Sequence, residues 1–147
     1  MIDPLLSLAF SMQTNKGVYA LLLGSGVSRA AQIPTGWEVV CDLVKKIAQM
    51  QGVDCSSDPA KWYQEKYQKE PDYSELLDEL AKSPEERQKL LSAYFEPNEE
   101  EREQGLKQPT SAHRAIANLV EGGFVRVIVT TNFDRLTELA IEEVGIT

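Results

Sequence analysis

Residues 18–37, VYALLLGSGVSRAAQIPTGW, are the stretch on which the fold turns. Val18 to Leu23 is an unbroken apolar run between glycines, the pattern of a strand covered on both faces in a parallel α/β sheet. GSGVS, residues 24–28, then sits where the carboxyl end of that strand meets a helix. Glycine at 24 and 26 is read as permitting positive φ and close approach of a ligand to the backbone, where free amides receive phosphate oxygens. The helix beyond has a capping-box start at Thr35 and Glu38 and an apolar stripe of Trp37, Val40, Cys41, Val44, Ile47 and Ala48.

A second strand is predicted from Phe124 to Val129, after Gly122 and Gly123. It runs into TTNFD, residues 130–134, and a final helix from Phe133 to Val144 with Thr131 or Asn132 as its cap. Between the strands the chain reads as helical. Asp58-Pro59 and Ser83-Pro84 are cap-then-proline starts, Leu76, Leu77 and Leu80 form a short apolar face, and Pro109 introduces a stripe of Ala112, Ile116, Leu119 and Val120. The charge-dense run EPNEEEREQG, residues 96–105, reads as a solvated face or mobile loop.

The expected fold is therefore α/β, a Rossmann-like parallel sheet with a mostly helical insertion at about residues 38–108 between its first two strands. Open sheets of this kind commonly carry about five or six strands. The two strands predicted here thus lead us to expect an incomplete domain, a fragment of a longer protein.

Composition narrows the partners. With 15 basic and 23 acidic residues the net charge is −8, and no basic cluster stands apart from acids. Nucleic-acid binding by this segment is disfavoured, because that affinity comes mainly from neutralised phosphates. No apolar run approaches the length of about 18 residues that spans a bilayer, and the N-terminus lacks a basic leader, so the expectation is a cytoplasmic protein without membrane contact. Cys41 and Cys55 are spaced unlike a metal pair and are read as buried thiols.

Each loop by itself is a weak signal. A dinucleotide fingerprint would place a third glycine where the chain has Arg29, and no nucleoside-triphosphate loop ending is present. Taken together, two loops at the carboxyl ends of parallel strands face one crevice, the place where open α/β sheets bind ligands.

The blocks GSGVSRAAQIPTGW and SAHRAIANLVEGGFVRVIVTTNFDRLTELAIEEVG, residues 24–37 and 111–145, resemble in order the two N-terminal blocks of sirtuin-like NAD-consuming domains. Gly24, Gly26, Ser28, Ile33 and Pro34 match the first family block, while Gln32, Thr35, Gly36 and Trp37 depart. Thr130, Asn132 and Asp134 match the second, while Thr131 and Phe133 depart. These departures resemble the bacterial branch found in anti-phage defence proteins, which hydrolyse NAD.

The resemblance implies that residues 1–147 are the N-terminal portion of such a domain, with NAD as substrate and no metal. It implies an NAD glycohydrolase that releases nicotinamide and ADP-ribose and depletes NAD in antiviral defence. The amides around Gly24, Ser25, Gly26 and Ser28 would hold the pyrophosphate, with Ile33 and Pro34 on a loop over the nicotinamide side and Thr130 and Thr131 beside the dinucleotide. Asn132 would orient the ribose or attacking water, and Asp134 would lie near the nicotinamide amide; these two are the catalytic candidates. Arg29 is read as solvent-facing, with pairing to phosphate as the alternative, and Trp37 as core, with shielding of the nicotinamide as the alternative.

His113 is the only histidine. It precedes the second strand, whereas the family's catalytic histidine follows the asparagine motif, so that base is expected beyond residue 147 and the chain alone is expected to turn over little NAD. A further domain or effector-sensing partner is expected C-terminal, and a homo-oligomer is compatible with this reading. The alternatives are an NAD or ADP-ribose sensor without catalysis and an NAD-dependent deacylase. The second is disfavoured by the lost aspartate-phenylalanine-arginine and by two cysteines where a zinc module needs four. A dehydrogenase would want an acidic residue ending a strand about 20 residues past the glycine turn, where this chain reads as helix.

Overall fold

A computed structural model describes residues 1–147 as a mixed α/β chain with eight α-helices and one two-stranded parallel sheet. In chain order the elements are α1 (Pro4–Thr14), β1 (Tyr19–Leu23), a 3₁₀ turn (Ser25–Ala31), α2 (Gly36–Met50), α3 (Pro59–Tyr67) and α4 (Tyr73–Leu80). After these come α5 (Pro84–Phe95), α6 (Glu99–Glu103), α7 (Ser111–Glu121), β2 (Val125–Thr130) and α8 (Leu136–Glu143). The chain divides into two compact units, Met1–Ile33 with Pro97–Thr147, and Pro34–Glu96. No helix is long and apolar enough to cross a membrane.

The first unit carries the sheet. β1 and β2 pair in parallel, with Leu21 opposite Ile128, Leu22 opposite Val129 and Leu23 opposite Thr130. Parallel pairing of strands so far apart in sequence requires a crossover, which the intervening helices supply. Gly17 bonds Phe124 through its amide and takes a φ of +76°, the left-handed region that favours glycine, at this turn into β1. α7 and α8 lie against each other, with Ile116, Ala117, Leu136 and Ala140 buried.

Two sequence expectations change in this unit, and a third resolves between its alternatives. The strands are not covered on both faces: Ala20, Leu22, Val127 and Val129 are exposed, Leu22 to 77%, because no element of this chain packs over that side. The buried stripe of α7 is His113, Ile116 and Ala117, with Ala112 exposed, so a polar ring stands where an apolar one was expected. The acidic run near residue 100 takes the first of its two readings, a solvated face: it forms the short, largely exposed helix α6, because Asn98 and Glu101 cap one another, with Glu101 N–H donating to Asn98 Oδ1 at 2.8 Å and Asn98 N–H to Glu101 Oε2 at 2.9 Å.

The second unit is all helical. Its core gathers Val39, Val40, Leu43, Val44, Ile47 and Ala48 of α2 with Cys55, Tyr63 of α3 and Leu76 and Leu77 of α4. The capping box at the start of α2 forms as read, with Thr35 N–H donating to Glu38 Oε2 at 2.7 Å, and Asp58 and Ser83 cap α3 and α5. Trp37 departs from its expected place in the core and is 56% exposed, and Cys41 is only half-buried. Helical spacing assigns Trp37 to an apolar face, but it stands in the first turn of α2, ahead of Val39, where the buried run of that helix begins. Asp42 accepts from Tyr94 Oη and from Lys46 Nζ, and these bonds outweigh its burial and hold its carboxyl below the usual range.

Candidate functional site

The two loops singled out in the sequence leave the carboxyl ends of adjacent parallel strands in the first unit. They are joined directly: the amide of Thr131 donates to the carbonyl of Leu23 at 3.2 Å, extending the ladder one step past the strands. The start of GSGVS and the start of TTNFD are therefore neighbours.

GSGVS forms the first turns of the 3₁₀ segment. Its first backbone bond is Val27 N–H to Gly24 O at 3.2 Å, so the amides of Ser25 and Gly26 precede the internal bonding pattern. Neither Gly24 nor Gly26 has a positive φ, which corrects the sequence expectation; in this segment that conformation belongs to Gln32, at φ 62°. Nor does packing demand glycine, since a Cβ built at 24 or 26 meets nothing within 4 Å. The backbone over both glycines is open to an approaching molecule.

Ser28 faces the other way. It is fully buried, and its hydroxyl lies 3.2 Å from Nε2 of His113, itself fully buried. Nδ1 of His113 accepts from the Thr110 N–H at 3.0 Å and lies 2.9 Å from the Thr110 hydroxyl. An imidazole nitrogen that accepts a backbone N–H carries no proton, so in the neutral ring the proton is on Nε2 and is donated to Ser28 Oγ. Burial pushes the His113 pKa down, with the Asp134 charge pulling it up and Arg114 pushing it further down. The ring is thus neutral, and it donates to Ser28 instead of withdrawing its proton. The pair is not a nucleophile and its base.

On the second loop, Thr130 and Thr131 are exposed and Asn132 is half-buried. The Asn132 amide donates to Thr130 Oγ1 at 3.0 Å, and its side-chain Oδ1 is sealed from solvent without a hydrogen-bond partner. Buried polar atoms are nearly always paired, so an unpaired acceptor marks a special position. Asp134 is 6% exposed and its Oδ1 accepts from Leu136 N–H at 3.0 Å. α8 accordingly starts at Leu136, not Phe133, and Asp134 serves the helix start in place of the expected Thr131 or Asn132.

Of the remaining candidates, Ile33 is buried at the end of the first unit and bonds Ser28 O through its amide, while Pro34 begins the second unit and is half-buried. Arg29 is exposed. No group of three or more His, Cys, Asp or Glu side chains is arranged to hold a metal ion.

Two features escaped the sequence reading. The first is the Ser28–His113 contact; its signal was Thr110 three residues before His113, the spacing of a capping box with histidine in the glutamate position. The second is Lys107, 8% exposed, whose ammonium pairs with Glu101 at 2.9 Å and whose amide donates to Ala31 O at 2.8 Å, fastening the end of the glycine loop. No protein-family model and no curated protein sequence matches this chain.

Proposed function

We propose that the chain is the dinucleotide-binding part of an NAD glycohydrolase, of Rossmann-like architecture and sirtuin-like type. The observation that carries the reading is the pair Gly24 and Gly26, glycines that neither conformation nor internal packing requires. Gly24 is the extended N-cap of the turn, but Gly26 lies inside it, where glycine costs about 0.5–1 kcal/mol relative to alanine. A molecule lying against the backbone accounts for that cost, and the amides of Ser25 and Gly26 suit the pyrophosphate of NAD.

The second loop supplies complementary groups. In this reading Asn132, whose Oδ1 has no partner within the chain, orients the ribose or the attacking water, and Thr130 and Thr131 add exposed hydroxyls beside it. Cleavage of the nicotinamide bond passes through a cationic, oxocarbenium-like sugar, so fixed dipoles and an oriented attacking oxygen supply the rate. Asp134, tied to Leu136, gives its negative charge to this end of the unit from a buried position and supports the loop more than it reaches the substrate.

His113 cannot supply the base, because its acceptor nitrogen is occupied by Thr110. In this reading the base comes from a residue outside the 147, and the biological role is NAD depletion in antiviral defence. The test has two parts. NAD added to the chain should shift the amide resonances of residues 24–28 and 130–132, and the whole protein should release nicotinamide from NAD. Shifts confined to other residues, or an inert whole protein, would reject the proposal.

A further inference from the structure

We infer that His113 is a positioning residue for the glycine loop: from α7 it grips Ser28 and so sets the course of the backbone from Gly24 to Gln32. The inference goes beyond the NAD reading and rests on it only for the affinity measurement below.

The argument starts with where the loop is held. Between Gly24 and Gln32 the one side chain that is both polar and fully buried is Ser28, and its hydroxyl has His113 Nε2 at 3.2 Å. The two residues are 85 positions apart, so nothing local brings them together. Ser28 O in turn receives the amide of Ile33 at 3.4 Å, so the residue gripped by the ring is also the one on which the loop's exit closes. On the histidine side the ring is fixed at both nitrogens, by Ser28 and by Thr110, and cannot swing without breaking one of them.

The outward side of the same turn contrasts with this. Gly24 and Gly26 have open space where side chains would be, and Ser25 is half-buried. A turn bare above depends on what holds it below, which is the Ser28–His113 contact at its middle and the Lys107 N–H to Ala31 O bond at its end. A neutral histidine held between a backbone N–H and a serine hydroxyl stiffens the middle of the turn without placing a charge in the interior. Preorganised amides bind an anion without first being ordered, so loosening the anchor should weaken ligand binding even though His113 never touches the ligand.

The test uses the 147-residue chain with His113→Leu, His113→Gln, Ser28→Ala and the control Ile116→Val, a packing change on the same helix. Amide hydrogen exchange of residues 25–33, NAD affinity and urea midpoints are measured for each. His113→Leu should speed exchange across 25–33 and weaken NAD binding by about tenfold, and Ser28→Ala by about threefold to tenfold, the range of one net hydrogen bond. His113→Gln should recover most of the loss, since its amide can accept from Thr110 and donate to Ser28. Ile116→Val should lower the urea midpoint without altering exchange at 25–33 or affinity.

Combining Ser28→Ala with His113→Leu should cost little more than the larger single effect. Should His113→Leu fail to fold, Ser28→Ala and His113→Gln decide the matter by the same exchange measurement. Wild-type exchange at 25–33 in Ser28→Ala, or losses no greater than those of Ile116→Val at equal stability, would overturn the inference. An absence of NAD binding by the wild-type chain would instead sink the functional reading, and the exchange rates would still decide the role of His113.

Discussion

The amide of Thr131 donates to the carbonyl of Leu23 across 3.2 Å, one residue beyond the last pair of the parallel ladder. This bond sets the glycine turn and the asparagine loop side by side at the same end of the sheet. It makes a single site chemically reasonable, because parallel strands turn their carboxyl ends toward one crevice.

Asn132 is the sharpest test of that site. Asn132→Ala should abolish NAD cleavage by the whole protein while changing stability by no more than about 0.5 kcal/mol, since the side chain is half-buried and its Oδ1 bonds nothing in the chain. Nicotinamide release and urea denaturation, run on the same preparation, check both halves.

Gly26→Ala should separate folding from binding. With no positive φ and nothing within 4 Å of the added methyl, the variant should be as stable as wild type or more stable by about 0.4–1 kcal/mol. If the dinucleotide lies against this backbone as proposed, the variant's NAD affinity should nevertheless fall at least tenfold, because the methyl would take up the open space over Gly26. Unchanged affinity by calorimetry would leave the glycine unexplained.

Asp134→Ala should behave unlike Asn132→Ala. It removes the acceptor for Leu136 N–H at the buried start of α8, and loss of a helix-start acceptor costs about 0.5–2 kcal/mol. Thermal unfolding should register this before any activity assay does.

Acid should destabilise the first unit through His113. Its folded-state pKa lies below the free value of 6.5, chiefly because the ring is buried, so the unfolded chain takes up the proton more readily. The stabilisation is fully present above pH 6.5 and is lost progressively as pH falls toward the folded pKa. Asp134 and Arg114 are the charged groups acting on the ring, with opposite signs. The urea midpoint of wild type should fall more steeply below pH 6.5 than that of His113→Gln, which has nothing to titrate at that position.

Much of this molecule was readable from its sequence, and the reason is range. The caps at Thr35, Asp58 and Ser83 act across three residues, so the residues that form them name the helix starts. The apolar runs at 18–23 and 124–129 became β1 and β2 within one residue at each end, and their parallel pairing followed from the helices between them. What the sequence could not decide were relations between distant residues. Trp37 has the spacing of a core residue but not the neighbours. Leu22 and Val129 have the composition of a buried strand, yet their exposure depends on what packs over them. The lone histidine looked like a base to weigh or dismiss, and only the folded chain brought it against Ser28, 85 residues away, as a neutral donor. Local hydrogen bonding and periodicity wrote the elements into the sequence, whereas burial and the direction in which Ser28, His113 and Asp134 point were decided by tertiary packing, because both depend on surfaces that come together only when the chain has folded.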